Sequence, residues 1–421
     1  MKVLLVTKEL GYRGTPKALA NYAFILSRKY DVSIWGYETG GETRERLVAA
    51  GFKVYTGMEC LEQLLTNKPD VVNIHRAGVT CKVETGILGK FKAAGCKCIE
   101  TNVFGRVDWS VEPLLDLSIQ ISLWDLYRWN AWKGGYKVPG VYVPYPVNVE
   151  EFKRASSFEI EDLRREWLSN DAGEGTAFVL GRIGKTKWEW LAGPLNLALK
   201  RFPNLHFVNV LDYCGESMPD FLKKHPRVHN QKRLVGVKEL VRFYSSCDAC
   251  VNMSWNGESF GYVNAEPMAC GTPVIALSTP LHDNAQVEML GGENPGGIVI
   301  GRPTMLGEAL DRLIGSGKER IGLGRVARES IVSRYSDKSL TPVLSAIFEA
   351  VSSCDAGEAI RQASNDGRVI TAKPRREIEA ALQNTMGGVS LVKLQAMRFY
   401  HSNLGYEAVC FAKRLLAFLG R

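Results

Sequence analysis

Cysteine is sparse in this chain. Ten cysteines among 421 residues cannot build the dense disulfide framework of a small secreted scaffold. Two pairs are close in sequence, Cys96/Cys98 and Cys247/Cys250. Neither is accompanied by the second CxxC or the nearby histidine pair that a zinc site needs. They read as small buried hydrophobes, and a reduced, cytoplasmic setting follows. Histidine is scarcer still, with six residues scattered along the chain, and no metal site is expected. Long apolar runs are absent too. No stretch approaches the roughly 18 to 20 consecutive apolar residues of a membrane-spanning helix; the longest candidates, near 138–149 and 267–282, are broken by Pro, Gly, Thr and Ser. The opening MKVLLVTKEL ends its apolar run at Lys8 and Glu9, too early for the core of an export signal. No internal repeat of about 20–50 residues is found. Charge of neither sign dominates: 53 basic against 45 acidic residues leave +8, which suits a phosphate-bearing ligand or an anionic membrane surface, and no nucleic-acid partner is expected.

What remains is ordinary globular material. Hydrophobic residues make up 45% and charged residues 23%, which excludes a disordered or fibrous chain. The length suits two or three domains. Short apolar runs alternate with helical patterns: KVLLVT (2–7), DVSIWGY (31–37), FKVYTG (52–57), DVVNIHR (70–76), CKCIET (96–101) and LSIQIS (117–122) read as strands. Between the first two, residues 15–30 read as a helix with Thr15 as candidate N-cap and Pro16 at the first helical position. A Pro-marked segment, 136–152, reads as an interdomain connection. The alternation then restarts with TAFVLGRI (176–183), LHFVNVLD (205–212), ACVNMS (249–254) and TPVIAL (272–277). Strands spaced by helices imply βαβ units and parallel sheets. The expected architecture is two tandem Rossmann-like, doubly wound α/β domains. Ligands of such sheets bind beyond the C-terminal ends of the strands.

The most informative stretch is ESFGYVNAEPMACGTPV (258–274). It follows a strand and reads as a loop closed by Glu258, a helix from about Phe260 to Cys270, a Gly271 C-cap and the next strand. Glu258 and Glu266 are eight residues apart, or up to roughly 12 Å along a helix axis. That separation can place one carboxylate on a sugar and the other on a ribose, with helix N–H groups between them offered to an anion. Two solvated glutamates at a helix start are the alternative, since acids are favoured there. A second constellation, GRIGKTKW (181–188), puts the basic residues Arg182, Lys185 and Lys187 after a strand, where such residues are either simply solvated or hold an anion.

With these residues in view, the chain resembles the family 4 glycosyltransferases of the GT-B fold over about residues 1–352. Their E-x7-E signature runs E-G-F-G-x-x-x-x-E-A-M-A-x-G-x-P-V; this chain departs at Ser259 and Pro267. The resemblance implies that Glu258 contacts the donor sugar and Glu266 the ribose hydroxyls, with backbone N–H groups of Phe260 and Gly261 near the sugar. The family's G-R-x-x-x-x-K pattern falls on Arg182 and Lys187, with Trp188 where Gly is usual. A glycine-rich loop near the N-terminus corresponds to Gly11 and Gly14, flanked by Arg13 and Lys17. A histidine near the reacting centre corresponds to His75. A further family histidine is Asn102 here, so Glu100, Asn102 and Arg106 become candidates for acceptor recognition. Trp124, Trp129 and Trp132, beside Arg128 and Lys133, read either as core or as a stacking surface for an acceptor sugar. No D-x-D occurs, the motif with which GT-A transferases hold a metal at the diphosphate.

The resemblance implies a retaining, metal-independent transferase of the hexosyltransferase type, moving sugar from an NDP-sugar to a glycan, lipid-linked or small-molecule acceptor. No cofactor is expected beyond the donor itself. A GT-B sugar-nucleotide epimerase and a catalytically silent nucleotide-sugar-binding partner are the alternatives. The expected organisation is an acceptor domain over 1–145, a donor domain over 146–335, a crossover helix over 336–352, a polar linker over 353–389 and a basic amphipathic tail over 390–421. Residues 391–421 carry five basic residues against Glu407, a pattern that suits peripheral contact with the inner face of a membrane or packing on the core.

Overall fold

The computed structural model describes residues 1–132, 134–168, 176–184, 188–210, 218–291, 295–353, 355–371, 375–388, 391–400, 402 and 408. The chain divides into two compact units. The first comprises residues 1–146, 337–375 and 395–421, and the second 147–336 and 376–394.

In chain order the first unit holds β1 (Lys2–Glu9), α1 (Gly14–Leu26), β2 (Asp31–Thr39), α2 (Glu42–Ala49), β3 (Lys53–Thr56), α3 (Leu61–Asn67), β4 (Val71–Arg76), α4 (Lys82–Ala93), β5 (Lys97–Asn102), β6 (Leu117–Gln120), α5 (Leu123–Trp132) and β7 (Gly140–Tyr142). All seven strands are parallel, in the order β3-β2-β1-β4-β5-β6-β7. Helical crossovers make them so, since a parallel neighbour cannot be reached by a tight turn. Val3, Leu4, Leu5 and Val6 of β1 have no solvent exposure, as expected of a central strand covered on both faces.

The second unit repeats the plan with α6 (Ser157–Leu168), β8 (Phe178–Arg182), α7 (Ala192–Arg201), β9 (Leu205–Val210), α8 (Asp220–Lys223), β10 (Val228–Gln231), α9 (Val237–Ser246), β11 (Ala249–Asn252), α10 (Tyr262–Ala269), β12 (Val274–Leu277), α11 (Ala285–Gly291), β13 (Gly297–Ile300), α12 (Leu306–Gly315) and α13 (Gly317–Tyr335). Its six parallel strands run β10-β9-β8-β11-β12-β13. In both sheets the winding reverses beside the first strand, between β1 and β4 and between β8 and β11. That reversal is where an open α/β sheet leaves a crevice for ligand. The chain continues as α14 (Asp337–Ser352) and α15 (Ala356–Asn365) on the first unit, then α16 (Arg375–Gln383) and α17 (Leu391–Tyr400).

Several expectations are corrected. Thr15 does not cap α1. The helix begins at Gly14 without a side-chain cap, and the Thr15 hydroxyl is engaged in a hydrogen bond with Tyr145. Strands β7, β10 and β13 lie where none was read. Each is three or four residues long, and β7 falls inside the proline-rich segment, at a sheet edge where proline is tolerated. Residues 353–389, polar in composition, are not a plain linker. Within α15, Ala356, Ile360 and Ala363 are buried at helical spacing. Beyond it, Ile370 accepts the Tyr142 N–H on edge strand β7 (2.8 Å), while Met386 donates to Val299 and accepts from Gly301 beside edge strand β13. The segment thus covers an open edge of each sheet, where unpaired backbone groups would otherwise invite association. Among the described residues no helix is long and apolar enough to cross a membrane.

Candidate functional site

In the second unit, Arg182 and Glu258 flank the reversal point: Arg182 ends β8, and Glu258 closes the loop after β11. Glu258 is part-exposed as a residue, but its carboxyl lies inward. Burial raises it from the ordinary carboxylate value of 4.5 to about 7; a hydrogen bond from Asn252 pulls it down and the charge of Asp283 pushes it up. Its main chain is held from α11: the Glu258 N–H donates to Gln286 Oε1 at 3.0 Å, and its carbonyl accepts the Ala285 N–H at 2.9 Å.

Phe260 is buried, edge-on to Tyr262 and Tyr335. Gly261 then turns the chain at φ +87°, and α10 starts at Tyr262, two residues later than expected. A side chain at Gly261 would stand 3.0 Å from Glu258 Cβ and from Asn264 Nδ2, so the turn needs glycine for space as well as for conformation. On the last turns of α10, Glu266 is buried and accepts the Tyr244 phenol at 3.1 Å. Burial and this carboxylate hold Tyr244 well above the usual phenol value.

Arg182 is buried, donates to Asn209 Oδ1 at 2.8 Å and lies 4.4 Å from the centre of the Trp188 ring. The ring of Trp188 in turn packs edge-on against Phe207. Lys187, and with it Lys185, lies outside the described residues. Arg182, Glu258, Phe260 and Gly261 therefore belong to the C-terminal edge of one sheet, and Glu266 follows within α10; the two carboxylates and the guanidinium are held by neutral groups. Among the described residues no group of three or more His, Cys, Asp or Glu is arranged to hold a metal ion. His225 and His229, four apart in sequence, do not share a helix face, because His229 is in strand β10.

In the first unit the same edge carries the loop after β1 and the end of β4. Gly11 and Gly14 fall between β1 and the start of α1, and neither adopts a left-handed φ. Neither is needed to enforce a turn, and a Cβ added at Gly11 would meet only the Glu9 carboxylate, at 3.8 Å. Arg13 pairs with Glu9 at 3.1 Å. His75 is fully buried on β4, stacked on Tyr145 and edge-on to Tyr22. Burial pushes its imidazole down to about 3, so the ring is neutral. Asn73 donates to the Ile99 carbonyl and to Thr101, which leaves its Oδ1 as an acceptor 3.1 Å from His75 Nε2. The proton is therefore on Nε2, and Nδ1 keeps a lone pair with no partner among the described residues.

The weaker acceptor candidates do not gather into a site. Glu100 receives Arg76, Ser118 and Asn102, and Arg76 is a fully buried cation that also pairs with Glu84 and Asp108. Asn102 organises its own loop by accepting the Phe104 and Arg106 N–H groups and donating to the Arg106 carbonyl. Arg106 stacks on Phe104. Trp124, Trp129 and Trp132 are buried, and Trp129 fills the space that a side chain at Gly140 would take. They are core, and Trp132 donates to the Tyr400 carbonyl at 2.9 Å. Met397 of α17 is likewise buried. The residues that make the tail basic and apolar beyond 408 lie outside the described residues, as does Lys133.

Sequence reasoning missed the asparagines that hold these groups: Asn73 beside His75, Asn209 beside Arg182 and Asn252 beside Glu258. Asn209 and Asn252 stand near the C-terminal ends of their strands and Asn73 two residues before His75, each interrupting an apolar run, and that interruption was the available signal.

The fold is shared with solved structures. Anabaena HepE in complex with UDP superposes with a TM-score of 0.66 at 14% identity, covering 83% of this chain and 100% of that one. Sucrose-phosphate synthase from Thermosynechococcus elongatus gives 0.59 at 15% identity, covering 87% and 100%. At such identity the likeness is one of fold: tandem Rossmann-like α/β units of GT-B type. By sequence, the chain is 28% identical to D-inositol 3-phosphate glycosyltransferase of Corynebacterium jeikeium over 229 residues, 49% of this chain and 51% of that protein. It therefore spans about half the length of that curated relative. Residues 175–316, which carry Arg182, Glu258 and Glu266, match the family described as "Glycosyl transferases group 1".

Proposed function

We propose that this chain is a retaining, metal-independent glycosyltransferase of the hexosyltransferase type that moves a sugar from an NDP-sugar to a glycan, lipid-linked or small-molecule acceptor. The observation that carries the reading is Glu258: a carboxyl drawn inward at the reversal point of the second sheet, in the loop before the helix that carries Glu266, within the segment that matches the glycosyltransferase family. The solved complexes of HepE with UDP and UDP-glucose support a nucleotide-sugar donor for this fold.

In this reading Glu266 holds the ribose hydroxyls, and Glu258 with the backbone at Phe260 and Gly261 holds the sugar. Arg182, with Lys187, stabilises the diphosphate as the bond from the anomeric carbon to its oxygen breaks. The acceptor oxygen bonds to the same face of that carbon, and its proton passes to the departing phosphate oxygen. His75, a neutral and buried imidazole, stands near the sugar and the reacting centre. The loop with Gly11 and Gly14 gives the diphosphate room to approach backbone. No cofactor takes part beyond the donor. The site works on the cytoplasmic side, with the basic tail as a peripheral membrane contact. Deleting 401–421 should abolish sedimentation with anionic vesicles, and a full chain that stays in the supernatant at low salt overturns that contact.

The test is incubation with UDP-, GDP- and ADP-sugars in EDTA, followed by NMR of the products. One donor should yield NDP and a glycoside with the donor's anomeric configuration, and only with acceptor present. Altered donor sugar without an acceptor marks an epimerase. An inverted product, or a requirement for Mn²⁺, contradicts the proposal.

A further inference from the structure

We propose that Asn252, coupled to Asn264, is a positioning residue that fixes the orientation of the Glu258 carboxylate; the inference rests on the reading of Glu258 as a donor-site group. The Asn252 amide is fully committed. Its Nδ2 donates to Glu258 Oε1 at 3.1 Å and to Asn264 Oδ1 at 3.0 Å, and its Oδ1 accepts the Ser254 N–H at 3.2 Å. The backbone donor at Ser254 settles which end of the amide is oxygen, so Nδ2 must face the carboxylate. One bond from strand β11 thus holds Oε1, while Gln286 and Ala285 hold the main chain of the same residue from α11. Oε2 is left as the oxygen for a ligand.

The pairing has a cost that packing does not explain. Asn264 has no exposure and Asn252 almost none. Two amides inside a protein are tolerated only when hydrogen-bonded, and an apolar pair of the same size would remove both of them, leaving only the Ser254 N–H and Glu258 Oε1 to find other partners. Moreover, Asn264 Nδ2 finds no acceptor among the described residues. An interior that keeps two amides, one of them incompletely satisfied, beside an inward carboxyl is the local conflict expected where function overrides stability. The groups facing Glu258 are the amides of Asn252, Asn264 and Gln286 from β11, α10 and α11, with Asp283 as the charge felt from the loop before α11. Removing the Asn252 donor takes away the hydrogen bond that favours the ionised carboxyl.

The test compares Asn252→Leu, Asn264→Leu and the double variant in the full-length chain. Each single variant leaves one amide unpaired and should melt below wild type. The double variant removes both amides and should regain much of the lost stability. If the asparagines only fill space, the double variant also regains activity. If they position Glu258, its kcat for NDP release stays roughly ten- to hundredfold below wild type while free NDP binds as before. The acid limb of its pH profile moves upward. A readout that needs no turnover is the ¹³C titration of the Glu258 carboxyl, identified by its loss in Glu258→Gln. Its midpoint should rise by about one pH unit in the double variant. Wild-type kcat, or an unmoved midpoint, overturns the proposal. Wild-type turnover in Glu258→Gln would instead overturn the assignment of the site, and the titration would still report on the positioning.

Discussion

The guanidinium of Arg182 lies 4.4 Å from the centre of the Trp188 ring, and its Nη1 donates to Asn209 at 2.8 Å. Ring and amide together aim a buried cation at the C-terminal end of β8. Trp188, itself packed edge-on against Phe207, gives the guanidinium a fixed platform. A desolvated contact of this kind is worth up to about 2 kcal/mol. Trp188→Leu should therefore slow transfer roughly tenfold, and Trp188→Phe should recover most of the loss. Arg182→Ala should cost about a hundredfold or more. Steady-state kinetics on the three variants check the order; equal activity in Trp188→Leu and wild type would separate the ring from the chemistry.

Glu258 makes a prediction that needs no substrate. Its folded-state carboxyl titrates near 7 against an ordinary 4.5, so between these values the unfolded chain has released a proton that the folded chain keeps. Stability is then lost as pH rises through this window. Glu258→Gln removes the effect and should gain up to about 3 kcal/mol relative to wild type at pH 8, with no gain at pH 4. Urea unfolding at both pH values measures it, and a pH-independent difference would show that the carboxyl is not desolvated.

His75 behaves in the opposite sense. Its pKa is pushed down to about 3 by burial, so acidification below the ordinary value of 6.5 protonates the unfolded chain first and costs stability. Between pH 5 and 8 the His75 ring should give constant NMR shifts with the proton on Nε2. Asn73→Leu should abolish that tautomer preference. A His75 resonance that titrates near 6.5 would contradict the burial and its neutral role.

The extent to which this was legible in the sequence has physical reasons. Short apolar runs such as KVLLVT, spaced by helical patterns, reveal buried parallel strands, so ten of the thirteen were readable. β10 escaped because VHNQ carries no apolar run, β13 because GIVI follows a glycine-rich stretch, and β7 because it sits among prolines. The carboxylates at 258 and 266 were visible through their fixed spacing across a loop and the helix that follows it. Their partners were not: Asn252, Asn264 and Tyr244 come from a strand and two helices, and only the fold brings them together. The polar stretch after 353 misled because α15 buries only one narrow apolar stripe.

The central claim is that the second sheet binds a nucleoside diphosphate through Glu266 and Arg182 without a metal. Calorimetric titration of UDP, GDP and ADP into the full chain in EDTA tests it most directly, with Glu266→Ala beside the wild type. One nucleotide should bind the wild type and bind Glu266→Ala at least about tenfold more weakly, the loss expected of a charged hydrogen bond to the ribose. Undiminished affinity in Glu266→Ala, or binding that appears only when Mn²⁺ is added, would contradict it.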